Sequence, residues 1–306
     1  MAPVEITSRV ATVGIILVSI MMGTVPIFAR ELTDGGMAPV AVVFYRNMAG
    51  FLVLGVFLRV TREKRCAFAW GLVMGVAMGL GWTSYVEALE VVPVATAAVL
   101  YMSYPIFAIV FAWVLFRDTP HPRALWGALV VIAAAVLALG PELDGAHKNK
   151  LLIMIAAPVS FGFAVAVVTN RLGSLKASER VVALSIGSMV GLGPLMLSLP
   201  SNEMIPGDMR AWFLVAGIGV TTGVVPQFIY SLVAPAVGAA RAALAGAIEL
   251  PTMFVVGWLV FEEPFTAARV VAGVLVMCVI AIVPSRPSPA TAAVRRHRRL
   301  VPGRFH

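Results

Sequence analysis

Two ionisable residues lie inside long apolar stretches of this sequence, where a charge is costly. Arg46 lies seven residues beyond Pro39, which is about 10 Å along a helix. Glu249 lies near the middle of the apolar stretch 237–261, two residues before Pro251. A charged side chain at such depth in a bilayer costs roughly 3 kcal/mol on insertion scales and normally faces a polar interior. The two residues therefore predict a site that binds charged groups.

Each of these residues has a functional and a structural interpretation. Arg46 could clamp an anion such as a carboxylate, or it could reach the interface or pair with Glu87. Glu249 could bind cargo and exchange a proton, or it could be a neutral side chain hydrogen-bonded to a neighbouring helix. The proline after it cannot donate to the carbonyl four residues back, and broken helices at half depth are where transporters bind cargo.

Amphipathic side chains on neighbouring stretches predict the walls of a cavity. Trp82 accompanies five polar residues that we assign, with Arg46, Glu87 and Glu249, to a substrate site: Tyr85, Tyr101, Tyr104, Gln227 and Tyr230. The alternative for such aromatic residues is a belt at the membrane interface. Pro105 and Pro251 are the predicted kink positions, and Arg241 is predicted to be interfacial.

The composition indicates a membrane protein. Of the 306 residues, 60% are hydrophobic and only 12% are charged, about half the charge of a soluble domain. The net charge of +8 does not indicate nucleic-acid binding, because the basic residues lie between apolar stretches without a soluble platform. Cys66 and Cys278 lack metal-site spacing, and no hydrolase or nucleotide-binding motif occurs, so we expect neither an enzyme nor a cofactor.

Apolar stretches long enough to cross a bilayer recur along the chain. They predict an all-α membrane protein with ten transmembrane helices, at 10–29, 39–58, 68–89, 94–116, 123–140, 151–170, 181–199, 211–233, 237–261 and 266–284. Stripes of glycine at every fourth residue, such as Gly71, Gly75 and Gly79, predict close helix packing. With ten spans, most Lys and Arg residues fall on the side of both termini, which the positive-inside rule assigns to the cytoplasm.

The chain also contains an internal repeat. A shift of 146 residues aligns Ala97–Ala135 with Ala243–Ala281 and matches Pro105 to Pro251, Arg123 to Arg269 and Gly127 to Gly273. The unit holds five spans, and an odd number inverts the second half relative to the first. We therefore predict two inverted five-helix repeats, 1–145 and 146–284, followed by a basic tail, 285–306, that is disordered and lies at anionic lipid.

Two stretches resemble the drug/metabolite transporter superfamily, in particular its EamA-type members with ten helices. They run from Val92 to Asp118 and from Gly238 to Glu263, each with a small-residue entry, a proline and an acidic exit. The first exit, Arg117-Asp118, lacks the usual Glu, whereas Glu262-Glu263 fits. The resemblance implies metabolite or amino-acid export across the bacterial inner membrane.

The sequence thus predicts a secondary transporter that exports a small polar or amphiphilic metabolite, such as an amino acid, by alternating access. Efflux of organic cations is an alternative within this class, and an intramembrane enzyme or a scaffold subunit is an alternative outside it. The expected partners are a small-molecule substrate and the lipid bilayer, with protons as a coupling ion and no nucleic acid. The chain is expected to be a monomer or a homodimer.

Overall fold

The architecture is helical throughout the residues that the computed structural model describes, which are 8–117, 122–139, 145–237, 245–264 and 266–282. Within these ranges no strand occurs. Seven segments are long and apolar enough to cross a membrane: Arg9–Asp34, Pro39–Phe57, Arg62–Ala88, Val94–Phe116, Asn149–Asn170, Ala177–Leu197 and Met209–Val233. Shorter apolar helices lie at the three other predicted positions, Trp126–Ala138, Glu249–Phe261 and Ala267–Val279. The chain is therefore a multi-pass membrane protein; the predicted tail, 285–306, and Arg241 lie outside the described residues.

The described helices are, in chain order, α1 (Ser8–Gly23), α2 (Val25–Asp34), α3 (Pro39–Leu54), α4 (Arg65–Ala88), α5 (Val94–Tyr101), α6 (Tyr104–Phe116), α7 (Pro122–Leu139), α8 (Gly145–Met154), α9 (Ala156–Asn170), α10 (Ala177–Leu197), α11 (Ser201–Met204), α12 (Met209–Gly217), α13 (Val225–Val237), α14 (Glu249–Phe261) and α15 (Ala267–Ile282). A π-helical segment, Ile218–Val224, joins α12 to α13. Short 3-10 turns occupy Gly55–Phe57 and Arg62–Lys64.

Two spans are broken just before a proline. A turn at 102–103 separates α5 from α6, and a turn at 247–248 precedes α14. Pro105 and Pro251 then lie in the first turn of α6 and of α14. The backbone N–H groups of a first turn have no acceptor within the helix, so a proline there removes no hydrogen bond. The prolines therefore start a second helical piece and do not kink a continuous helix.

Helices α6 and α14 have matching lengths and ends. Each has 13 residues and ends at a phenylalanine, Phe116 or Phe261. The next residue is left-handed in both cases, with φ 56° at Arg117 and φ 53° at Glu262, the two positive-φ non-glycine residues in the described ranges. The ends of α6 and α14 superpose at a shift of one residue less than the 146 of the sequence alignment. The difference arises because the proline is the second residue of α6 and the third residue of α14, and a first turn accepts proline at both positions.

The glycine stripe of α4 packs directly against α10. A Cβ atom on Gly75 would lie 2.9 Å from Gly187 Cα, and one on Gly71 would lie 2.7 Å from Ala183 Cβ. Glycine is therefore required for the approach of the two backbones, as the spacing predicts. Large apolar side chains such as Leu52, Trp126 and Leu197 remain more than half exposed on the outside, as expected for a surface that contacts lipid.

Candidate functional site

Arg46 lies in the interior of the bundle on α3, with only 3% of its surface exposed. Its Nη2 donates to the Thr222 carbonyl at 2.8 Å, and its Nε donates to the Thr222 hydroxyl at 3.2 Å. The guanidinium carbon lies 4.3 Å from the centre of the Trp82 ring. Such a cation–π contact is strong where water is excluded. Arg46 is therefore directed inward and does not reach the membrane surface.

The expected pair of Arg46 and Glu87 does not form. Glu87 Oε1 accepts a hydrogen bond from Lys150 Nζ at 2.7 Å, and Glu90 lies 3.4 Å from the same nitrogen. Lys150 is the second residue of the span Asn149–Asn170, which begins within α8, a helix that packs against α4. Because a cation is close at this end of the bundle, Glu87 pairs with it and belongs to a surface ion-pair group.

Glu249 is the first residue of α14 and faces the same interior. Its Oε1 is buried, and no residue within the described ranges donates a hydrogen bond to it. The group lies close enough to Arg46 for the two charges to interact. A helix N-terminus stabilises negative charge, so the break before α14 suits a carboxylate. Glu249 Oε1 can therefore accept a hydrogen bond from a bound ligand.

Aromatic rings form one wall beside these two charges. Tyr85 and Tyr101 are almost fully buried, and Trp82 lies 5.3 Å from the Tyr85 ring and 5.6 Å from the Tyr101 ring. Tyr101 and Tyr104 both contact Phe161, at 5.3 and 4.6 Å between ring centres. Offset and edge-on pairs at these distances are favourable. The structure therefore brings the predicted tyrosines of α4, α5 and α6 together.

Tyrosines of α4, α5, α6 and α13 lie around Glu249 and the start of α14. The Tyr85 hydroxyl lies 3.9 Å from the Met253 sulfur on α14. Tyr85, Tyr101, Tyr104 and Tyr230 all lie within electrostatic range of Glu249.

Gln227 and Tyr230 occupy α13, on the other side of this interior. Tyr230 lies within electrostatic range of Glu249 and Tyr104, although 41% of its surface is exposed. Gln227 is half-buried one turn earlier on the same helix, and in the described part of the chain it makes no hydrogen bond to the other predicted site residues.

Thr222 is the site residue that the sequence analysis missed. It is fully buried in the π-helical segment and contacts Arg46 through both its hydroxyl and its carbonyl. A threonine in an apolar helix is unremarkable, because its hydroxyl can donate to its own helix, here to Ile218 at 2.6 Å. The glycines on either side of it, Gly219 and Gly223, indicate close helix packing but not the hydrogen bonds to Arg46.

A second cluster joins three spans at the end of the bundle that holds the start of α5. Arg30 donates to the carbonyls of Leu89 and Val92 at 2.8 and 3.0 Å and lies 3.4 Å from Glu263 Oε1. The Glu263 carboxylate accepts from the Val94 amide at 2.6 Å and from the Ala95 amide at 3.2 Å. Glu263 therefore caps α5. The acidic exit of the second stretch thus has a structural partner.

The arrangement offers two opposite charges, four tyrosines and an apolar aromatic wall. Such a site can bind an amphiphilic solute by its charged ends while its apolar part packs on the rings. Among the residues that the structure describes, no three His, Cys, Asp or Glu side chains are grouped as metal ligands.

Comparison with known proteins agrees with these features. Residues 10–140 match the model of the EamA-like transporter family. The chain is 27% identical to the pseudopaline exporter CntI of Pseudomonas aeruginosa (strain UCBPP-PA14), over 77% of this chain and 82% of the exporter. It is 27% identical to an uncharacterized transporter of Archaeoglobus fulgidus, over 90% and 96% of the two chains.

Two further similarities extend the comparison. A riboflavin transporter of Rhizobium johnstonii is 30% identical over 64% of each chain. A protein known from its crystal structure aligns with 95% of this chain and 98% of its own, at a TM-score of 0.61 and 17% identity, which shows a shared fold.

Proposed function

We propose that the chain, whose residues 10–140 match the EamA-like transporter family, is a transporter of this family that exports a small amphiphilic metabolite carrying an amine and a carboxylate, such as an amino acid. The observation that carries the proposal is the buried Glu249 oxygen without a donor in the described ranges, within electrostatic range of Arg46. An ammonium group would satisfy this carboxylate, and a carboxylate would meet the guanidinium. The similarity to a metabolite exporter supports this direction of transport.

The proposal includes ten spans arranged as two inverted five-helix halves. Three shorter apolar helices occupy the positions of the fifth, ninth and tenth predicted spans. The matched 13-residue helices α6 and α14 support a repeat, and so do reciprocal cation–π contacts. Arg30 of the first half lies 4.4 Å from the Phe261 ring, and Arg171 of the second half lies 5.3 Å from the Phe116 ring.

Helix packing supports the same arrangement. Helix α1 of the first span packs on α13 of the eighth span, and α9 of the sixth span packs on α4 of the third. In a five-plus-five repeat the sixth span is equivalent to the first and the eighth to the third, so the two contacts are equivalent. Helix α7 packs on α15, the equivalent last spans of the two halves. In alternating access, each half would adopt in turn the conformation of the other, with both termini in the cytoplasm and the chain in the bacterial inner membrane.

The test is a thermal-shift screen of the purified full-length protein against the twenty L-amino acids, polyamines and quaternary amines. We expect zwitterions to raise the melting temperature, because only they satisfy both charges. Stabilisation by quaternary amines alone would instead assign the site to organic cations. A screen without any stabilising compound, or one unchanged in Glu249→Gln, would contradict the proposal.

A further inference from the structure

The π-helical segment Ile218–Val224 holds Arg46 from one side only. Most of a span is α-helical, and a π-helical stretch within a helix is rare and frequently marks a functional position. Here the segment presents the Thr222 carbonyl sideways to Arg46 Nη2, at 2.8 Å. The same residue's hydroxyl donates to the Ile218 carbonyl and accepts from Arg46 Nε. One residue therefore occupies two nitrogens of the guanidinium.

The glycines beside Thr222 allow this approach. A Cβ on Gly223 would lie 3.3 Å from the Arg46 carbonyl and 3.5 Å from Arg46 Cγ, while one on Gly219 would lie 2.6 Å from Ala49 Cβ. The segment thus packs closely on α3, and the side chain of Arg46 runs along it. The Trp82 ring covers the face of the guanidinium.

The remaining nitrogen, Nη1, is left for another group. In the described part of the chain no residue accepts a hydrogen bond from it. Nε and Nη2 form one edge of the planar guanidinium, so fixing that edge also fixes the direction of Nη1. Rotamer freedom of a long side chain is lost before binding, which favours affinity for an anionic ligand.

We propose that Thr222 is a positioning residue that directs Arg46 at the carboxylate of the cargo and thereby sets the affinity for anionic cargo. This inference rests on the proposed function, since it assumes that the cargo carries a carboxylate. Removing the hydroxyl should release Arg46 Nε while the Thr222 carbonyl still holds Nη2, so the guanidinium should be less firmly oriented and bind the carboxylate more weakly. The change should leave binding of the amine at Glu249 intact.

The test compares Thr222→Val with Thr222→Ser in full-length reconstituted protein. The matched control is Thr221→Val, because the Thr221 hydroxyl donates to the Gly217 carbonyl at 2.7 Å within its own helix. Each of the twenty L-amino acids and its carboxamide is titrated by thermal shift. The best binder is then used in transport assays to obtain the half-saturating concentration and the maximal rate.

We expect Thr222→Val to raise the half-saturating concentration of the amino acid by about tenfold, the value of one hydrogen bond to a charged group. The maximal rate and the affinity for the carboxamide should stay unchanged, and Thr222→Ser should restore wild-type affinity. Equal affinity in Thr222→Val and the wild type, or an equal loss in Thr221→Val, overturns the positioning role and leaves the proposed function standing. If no amino acid binds the wild type, the proposed function and this inference both fail.

Discussion

Helices α6 and α14 have the same backbone and different chemistry at their first residue. Both follow a break, both have 13 residues, and both end at a phenylalanine followed by a left-handed residue. The Arg117 amide donates to the Trp113 carbonyl after α6, and the Glu263 amide donates to the Gly257 carbonyl after α14, each at 3.0 Å. Yet α6 begins with Tyr104 and α14 begins with Glu249.

The difference shows how two helices with matching backbones can present different side chains to one site. In the first half, Tyr104 packs its ring edge-on against Phe161 and adds to an apolar wall. In the second half, the equivalent position supplies a carboxylate whose Oε1 lacks a donor within the described ranges. The two helix starts therefore share a backbone conformation, while of their first residues only Glu249 carries an ionisable carboxyl group.

The largest effect should follow from removing that charge. We expect Glu249→Gln to lower transport by reconstituted protein at least about tenfold, because a charge-assisted contact to the cargo is lost. Tyr104→Phe, at the equivalent position, should change transport less than about threefold. If protons are the coupling ion, the pH dependence of transport should flatten in Glu249→Gln only. Retained uphill transport with an unchanged pH profile would exclude coupling through this residue.

An intermediate effect should follow from uncapping the first half's broken span. Glu263→Gln weakens the bonds to the amides of Val94 and Ala95 and removes the ion pair with Arg30. We expect a loss of about 1 kcal/mol in unfolding free energy, the usual value of a helix cap, measured by denaturation in detergent. Glu262→Gln is the control, since Glu262 is exposed. Equal losses in the two variants would show that Glu263 is not a specific cap.

The smallest effect concerns the left-handed residues that end α6 and α14. Left-handed backbone costs a non-glycine residue about 1 kcal/mol, whereas glycine adopts it freely. Arg117→Gly and Glu262→Gly should therefore each raise the unfolding free energy by less than about 1 kcal/mol, and by similar amounts. A gain in one variant and a loss in the other would argue against equivalent helix ends.

The sequence predicted those features that follow from the free energy of a single residue in an apolar span. A charge in an apolar span must face inward, and Arg46 does so; Glu249 is directed inward at a helix break beside a proline. The glycine stripe of α4 predicted a close helix contact, which α10 provides. These inferences need only the residue's own free energy in lipid and its position along a helix.

Partners from distant spans were beyond the sequence. Pairing with Glu87 was one alternative for Arg46, but Glu87 instead pairs with Lys150 because α8 packs beside α4. The π-helical segment directs the Thr222 carbonyl at Arg46, and this conformation depends on packing against α3. A threonine between glycines in the sequence does not predict that contact. The role of Glu263 as a cap for α5 likewise joins positions 169 residues apart.

The contact between α4 and α10 limits which parts of the bundle can move. Cβ atoms on Gly75 and Gly187 would meet main-chain atoms of the opposite helix within 2.9 Å, so no flexible side chains lie between them. Sliding would force peptide groups into one another, so we expect the two helices to move together although they belong to different halves of the proposed repeat. If the protein works by alternating access, as we propose, displacement should fall on helix contacts other than this one. Tethering α4 to α10 should then leave turnover intact.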